Sequence, residues 1–144
     1  MHHTIFDTPL VNTFLRGVSL AVLRMTGWRV EGTLPSHATK SVLIAAPHTS
    51  NWDLPYTLML AFVLRLRVYG IGKQRLFRAP VGGVVRWLGG IPVNRDQTNN
   101  LVAWSAQAMR EAQGPIQLIV PPEGTRGKTR HWKTGFYFIA QQAD

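Results

Sequence analysis

The stretch Ser41-Val42-Leu43-Ile44-Ala45-Ala46, running straight into Pro47-His48-Thr49-Ser50-Asn51-Trp52-Asp53, carries the fold reading. After the serine the first segment is wholly apolar and rich in branched side chains, the pattern of a strand buried on both faces. A polar turn follows, and a helix is expected from Ser50 to about Arg67. Strand, turn and helix in that order form the unit from which parallel sheets are built.

Working outward, the same unit recurs. Val68 to Ile71 reads as a short strand punctuated by Gly70 and Gly72, and Phe77 to Leu88 as a glycine-interrupted helical stretch. Gly90 to Val93 is another strand. Thr98 to Gln113 is the clearest helix, with Leu101, Trp104, Ala108 and Ala112 on one stripe and Gly114-Pro115 as its stop. Ile116 to Val120 is a strand ending at Pro121-Pro122, and a last helix is expected from near Thr134. Upstream, Pro9 to Met25 has Leu10, Phe14, Val18, Val22 and Met25 at helical spacing, while Arg16, Ser19 and Arg24 lie off that stripe. Trp28 to Glu31 alternates like a strand. The expected architecture is α/β, a mostly parallel central sheet flanked by helices, with an N-terminal amphipathic helix. Residues 1–27 form that interfacial or docking helix and residues 28–144 the α/β domain.

Composition narrows the function classes. The 144 residues suffice for one domain with a core, and 45% apolar against 16% charged residues argues against disorder. The absence of cysteine removes disulfides, thiolate metal sites and cysteine nucleophiles, and fits a reducing compartment. The net charge of +9 is clustered. No acid lies between Asp53 and Asp96, where Arg65, Arg67, Lys73, Arg75, Arg78, Arg86 and Arg95 fall. Nor does one lie from Gly124 to Ala143, which holds Arg126, Lys128, Arg130 and Lys133. Such fields attract phosphate groups. The longest apolar run, Leu58 to Leu64, is far short of the ~18 residues that span a bilayer. No basic n-region precedes Arg16, so a secretory signal is not expected.

Ligands of parallel sheets gather beyond the carboxyl ends of the strands, and three segments fall there. The first holds His48 and Asp53. On one continuous helix, positions five apart diverge by roughly 140°, so the two side chains meet only if the chain turns between them. A carboxylate on one ring nitrogen would then leave the other free to take a proton from an alcohol. The competing reading is structural, with Ser50 as N-cap and Asp53 as its acidic third residue. The second segment, Gly89 to Arg95, delivers Arg95 at a strand end, either to a phosphate or to a surface ion pair with Asp96 or Glu111. The third, Pro121-Pro122-Glu123-Gly124-Thr125-Arg126, is either an anion-binding loop or an ordinary turn. In the first case Glu123 binds a ligand hydroxyl or orients Arg126.

Together these segments resemble the lysophosphatidate/glycerol-3-phosphate acyltransferase family over roughly Ser41 to Thr134. His48 and Asp53 match its His-x4-Asp motif, Gly90 to Arg95 its Gly-x-x-x-x-Arg motif, and Pro122 to Arg126 reads Pro-Glu-Gly-Thr-Arg, its third. Pro47, Pro92 and Gly127 depart from the residues usual at those places. The family's fourth motif, a later strand bearing a proline, has no counterpart before Asp144, from which a C-terminally truncated sheet is expected. The resemblance implies direct acyl transfer to the hydroxyl of a phosphate-bearing glycerolipid acceptor such as lysophosphatidate. It makes His48 the general base and Asp53 its orienting partner, and assigns substrate binding to Arg95, Glu123, Gly124, Thr125 and Arg126. The donor is acyl-CoA or acyl carrier protein, with no cofactor and no metal, since a His–Asp metal site needs more ligands than these segments offer. A peripheral location on the cytoplasmic face of a membrane follows. The rival reading is a non-catalytic basic module on anionic lipid. Nucleic acid is not an expected partner, because Trp52, Trp87 and Trp104 lie in apolar patterns rather than interleaved with basic residues.

Overall fold

The computed structural model describes residues 2–94 and 100–144. Its elements are α1 (Pro9–Met25), β1 (Lys40–Ile44), α2 (Asp53–Leu64), β2 (Val68–Lys73), α3 (Gly82–Trp87), β3 (Gly90–Val93), α4 (Leu101–Arg110), β4 (Ile116–Val120) and α5 (Gly135–Ala143), with single 3-10 turns at Ile5–Asp7 and Gln74–Phe77. The four strands form one sheet in the order β1-β4-β2-β3, parallel at every pairing. The α/β class and the parallel sheet are therefore as expected.

Side-chain alternation splits the core in two. Leu118 sits between Val42 and Tyr69 in the register, and these pack with Met109 of α4 and Ile139 of α5 on one face. One residue on, Ile119 is level with Leu43, and both turn to Phe6, Ala61 and Phe62 on the other face. With helices on both faces, β4 is apolar throughout apart from Gln117, which is buried to 3% exposure. Its side-chain oxygen accepts from the Arg67 amide at 2.8 Å and its nitrogen donates to the Thr39 carbonyl at 3.2 Å, which ties together the starts of three neighbouring strands.

The stripe Leu10, Phe14, Val18, Val22 and Met25, open to docking or to an interface, is exposed, Leu10 and Met25 at 86%. Helix α1 packs on α2 through Val11, Leu15, Ser19 and Leu23 instead. The two rows are offset by one residue, roughly 100° around the helix, and both are largely apolar. Trp28 to Glu31 forms no strand; Trp28 lies against Tyr56, ring centroids 5.0 Å apart. Helix α2 starts at Asp53 rather than Ser50 and stops at Leu64, because Arg65 takes a left-handed conformation (φ 56°) and the Leu66 amide bonds back to the Ala61 carbonyl. The Phe77 to Leu88 stretch is divided: only Gly82–Trp87 is α-helical, behind Pro80. Helix α4 covers Leu101–Arg110; Thr98 and Asn99, in its expected first turn, lie outside the described residues.

The topology sets a switch point between β1 and β4. Strands β1 and β4 are neighbours, yet β1 leads into α2 on one face and β4 into α5 on the other. Where adjacent parallel strands send their connections to opposite faces, the loops part and leave room for a ligand at the carboxyl edge.

Candidate functional site

The turn after β1 is built around one carboxylate. The β1–β4 ladder continues one bond further, from the Ala45 amide to the Val120 carbonyl (3.2 Å), and then the chain turns. Asp53 Oδ2 accepts the Thr49 amide at 2.8 Å and the Ser50 amide at 3.0 Å, and lies 3.0 Å from His48 Nδ1. Ser50 Oγ accepts the Trp52 amide at 3.1 Å, which holds the turn short of the helix. The expected Ser50 cap of α2 is not formed, since the helix follows Trp52 with no side-chain cap; Asp53 Oδ2 instead closes the turn and meets the ring. The Ser50 amide above all, with the Thr49 amide and His48, holds the Asp53 carboxyl below its ordinary range. An ionised carboxylate only accepts, so the imidazole proton belongs on Nδ1 and Nε2 is left as an acceptor. Both side chains are partly open to solvent, His48 at 30%.

The loop after β4 lies beside that turn. Glu123 Oε1 accepts the His48 backbone amide at 3.3 Å. Gly124 is left-handed (φ 65°), and a Cβ there would come within 3.0 Å of the Lys133 side chain, which lies across it. The Lys133 amide also closes the loop's base on the Pro122 carbonyl at 2.8 Å. Thr125 Oγ1 accepts the Gly127 amide at 3.2 Å, and both Thr125 and Arg126 are exposed. Arg126 forms no ion pair with the described residues. His48, Asp53, Glu123, Gly124, Thr125 and Arg126 therefore share two adjacent loops; Arg95 lies outside the described residues.

Over this framework the acyltransferase family profile matches residues 27–144, which takes in all four strands and both loops. This chain belongs to the acyltransferase family. It is the family of lysophosphatidate/glycerol-3-phosphate enzymes that the three motifs resemble. No curated protein and no solved structure matches the chain.

Other residues of this acyltransferase reach the same edge. Lys73 ends β2 there, in register with Val93 at the end of β3. Sequence reading places Lys73 only within a basic field; its position as last residue of a strand is the signal that would have marked it. Lys133 likewise stands in the sequence only as field charge, and its return across Gly124 is a feature of the three-dimensional fold. The residue just before the second motif is a close contact: Gly89 has φ 93°, and a Cβ on it would lie 2.3 Å from the Val68 carbonyl oxygen. That glycine lets β3 enter the sheet beside β2. Beside His48, Trp52 is 71% and Leu54 56% exposed, an apolar lip on a polar turn.

Proposed function

We propose that this acyltransferase moves a fatty acyl group from a thioester donor, acyl-CoA or acyl carrier protein, to the hydroxyl of a phosphate-bearing glycerolipid acceptor such as lysophosphatidate. The observation that carries the reading is the 3.0 Å approach of His48 Nδ1 to an Asp53 carboxylate already fixed by two backbone amides. Nε2 of His48 takes the proton of the acceptor hydroxyl as its oxygen attacks the thioester carbonyl. The carbon–sulfur bond breaks, the ester forms, and the leaving thiolate receives the proton back from His48. Asp53 keeps the ring in the reactive tautomer and offsets the imidazolium charge. Arg126, with Arg95, holds the acceptor phosphate, and the left-handed Gly124 and Thr125 shape the loop around it.

A peripheral site on the cytoplasmic face of a membrane is part of this proposal. Among the described residues no helix is long and apolar enough to cross a bilayer. The outward row of α1 offers another mode of attachment: Leu10, Phe14, Val18 and Met25 face away from the domain. Leu10 and Phe14 also rim an apolar groove of about 690 Å³, floored by Leu58 and Phe62 and closed by Trp87 and Leu88. Surface of that kind suits hydrocarbon, and the basic residues suit anionic headgroups.

The test is release of free thiol from acyl-CoA and from acyl carrier protein across a panel of lysophospholipid acceptors and glycerol phosphate. His48→Ala is expected to reduce turnover about 10²- to 10⁴-fold, the range of a lost general base, with circular dichroism unchanged. Undiminished turnover in that variant removes the mechanism.

A further inference from the structure

We propose that Glu123 is a positioning residue for the catalytic histidine, which it grips through the backbone, and not a ligand for the acceptor. The inference rests on the reading of His48 as general base. Three successive amides, those of His48, Thr49 and Ser50, point to carboxylates. Two of them are taken by Asp53, four and three residues further along the same turn. The third is taken from 75 residues away, by Glu123 Oε1 at 3.3 Å. The turn is therefore held from both sides, by its own helix and by the loop that follows the neighbouring strand.

Neither oxygen of Glu123 is presented to a ligand. Oε1 is engaged by the His48 amide, and Oε2 is buried with no hydrogen-bond donor among the described residues. A hydroxyl of the acceptor has no open path to Oε2, whereas the Thr125 and Arg126 side chains beside it are exposed. Functions are thus divided within Pro122 to Arg126. The part after Gly124 faces outward to bind, and Glu123 faces inward to fix the base. Removing the grip frees the His48 amide and lets the ring drift, and a displacement of about 1 Å at a reacting group costs on the order of 10²-fold in rate.

Two conservative substitutions separate reach from charge. Glu123→Gln keeps the side-chain oxygen at the same reach and discards the charge, so kcat is expected within about threefold of the parent. Glu123→Asp keeps the charge and shortens the arm by one methylene. Its kcat is expected to fall about 10- to 100-fold while the acceptor KM stays within twofold. Hydrogen exchange of the His48 amide, read by NMR, is expected to quicken in Glu123→Asp and stay protected in Glu123→Gln, with the melting temperature confirming that each variant folds. If Glu123→Asp does not fold, Glu123→Gln alone decides: a labile His48 amide or a collapsed kcat there refutes the grip. Loss in Glu123→Gln with Glu123→Asp spared, equal behaviour of the two, or a tenfold rise in acceptor KM at constant kcat each overturns it. The amide readout does not depend on turnover, so an active His48→Ala variant would discredit the general-base reading without being confused with failure here.

Discussion

Asp53 Oδ2 has three neighbours within 3.0 Å, the amides of Thr49 and Ser50 and the ring of His48, and every one of them favours the ionised carboxyl. Its native pKa is therefore lowered from the ordinary 3.8, with the Ser50 amide as first cause. Where the unfolded chain holds the proton more tightly than the native one, stability rises with pH. The contribution of Asp53 is complete well above 3.8 and is lost as pH falls through the depressed native value. Comparing urea denaturation of the parent with Asp53→Asn, the parent is expected to be the more stable at pH 7, with the gap closing as pH drops from about 4 toward 2. A gap independent of pH over that range contradicts the assignment. Sequence spacing showed that a turn was needed to bring His48 and Asp53 together, and the turn exists. What spacing could not show is that one oxygen would both close the turn and hold the ring, because capping and pairing draw on the same residues.

At the scale of elements, helix α1 is the instructive one. Its limits, Pro9–Met25, agree with the expected ones, and Pro9 at the first turn supplies the reason. The choice of docked face did not follow, since the rows through Leu10 and through Val11 are both apolar enough to be buried. Contact with Leu58 and Phe62 of α2 selects the second, a matter of tertiary partners that no periodicity encodes. Strands fared better: Gly90–Val93 and Ile116–Val120 are as expected, because a strand covered on both faces has a strong composition signal. Trp28 to Glu31 had alternation alone, and with no neighbouring strand to pair, it remains irregular. The exposed row of α1 carries its own prediction. Phe14→Glu and Met25→Glu, at positions 69% and 86% exposed, are expected to leave the melting temperature within a few degrees. Each is expected to weaken sedimentation with anionic vesicles about tenfold or more, the scale of losing one large apolar side chain from a lipid interface. Unchanged sedimentation would assign that face to something other than lipid.

For the whole molecule, the +9 net charge acts at longer range than any single contact. The Debye length shrinks from about 10 Å at 0.1 M salt to about 3 Å at 1 M, so binding to anionic vesicles is expected to fall steeply between those concentrations. Binding to neutral vesicles should hold or strengthen, because the apolar share does not depend on salt. Equal salt response on both surfaces argues against a basic membrane-facing side. The fold class was legible at this scale from alternation of strands and helices alone. The strand order was not, because nothing local states that β4 inserts between β1 and β2.

That insertion sets the order in which the enzyme can become an enzyme. Within the described sheet β1 has no partner other than β4, which follows β2 and β3 in the chain. A nascent chain that has reached Gly114 holds His48 and Asp53, yet the edge of β1 has nothing to zip against, and Glu123 has still to be translated. The two loops thus meet only when the fourth strand slides into the gap between β1 and β2, closing a contact between residues 75 positions apart.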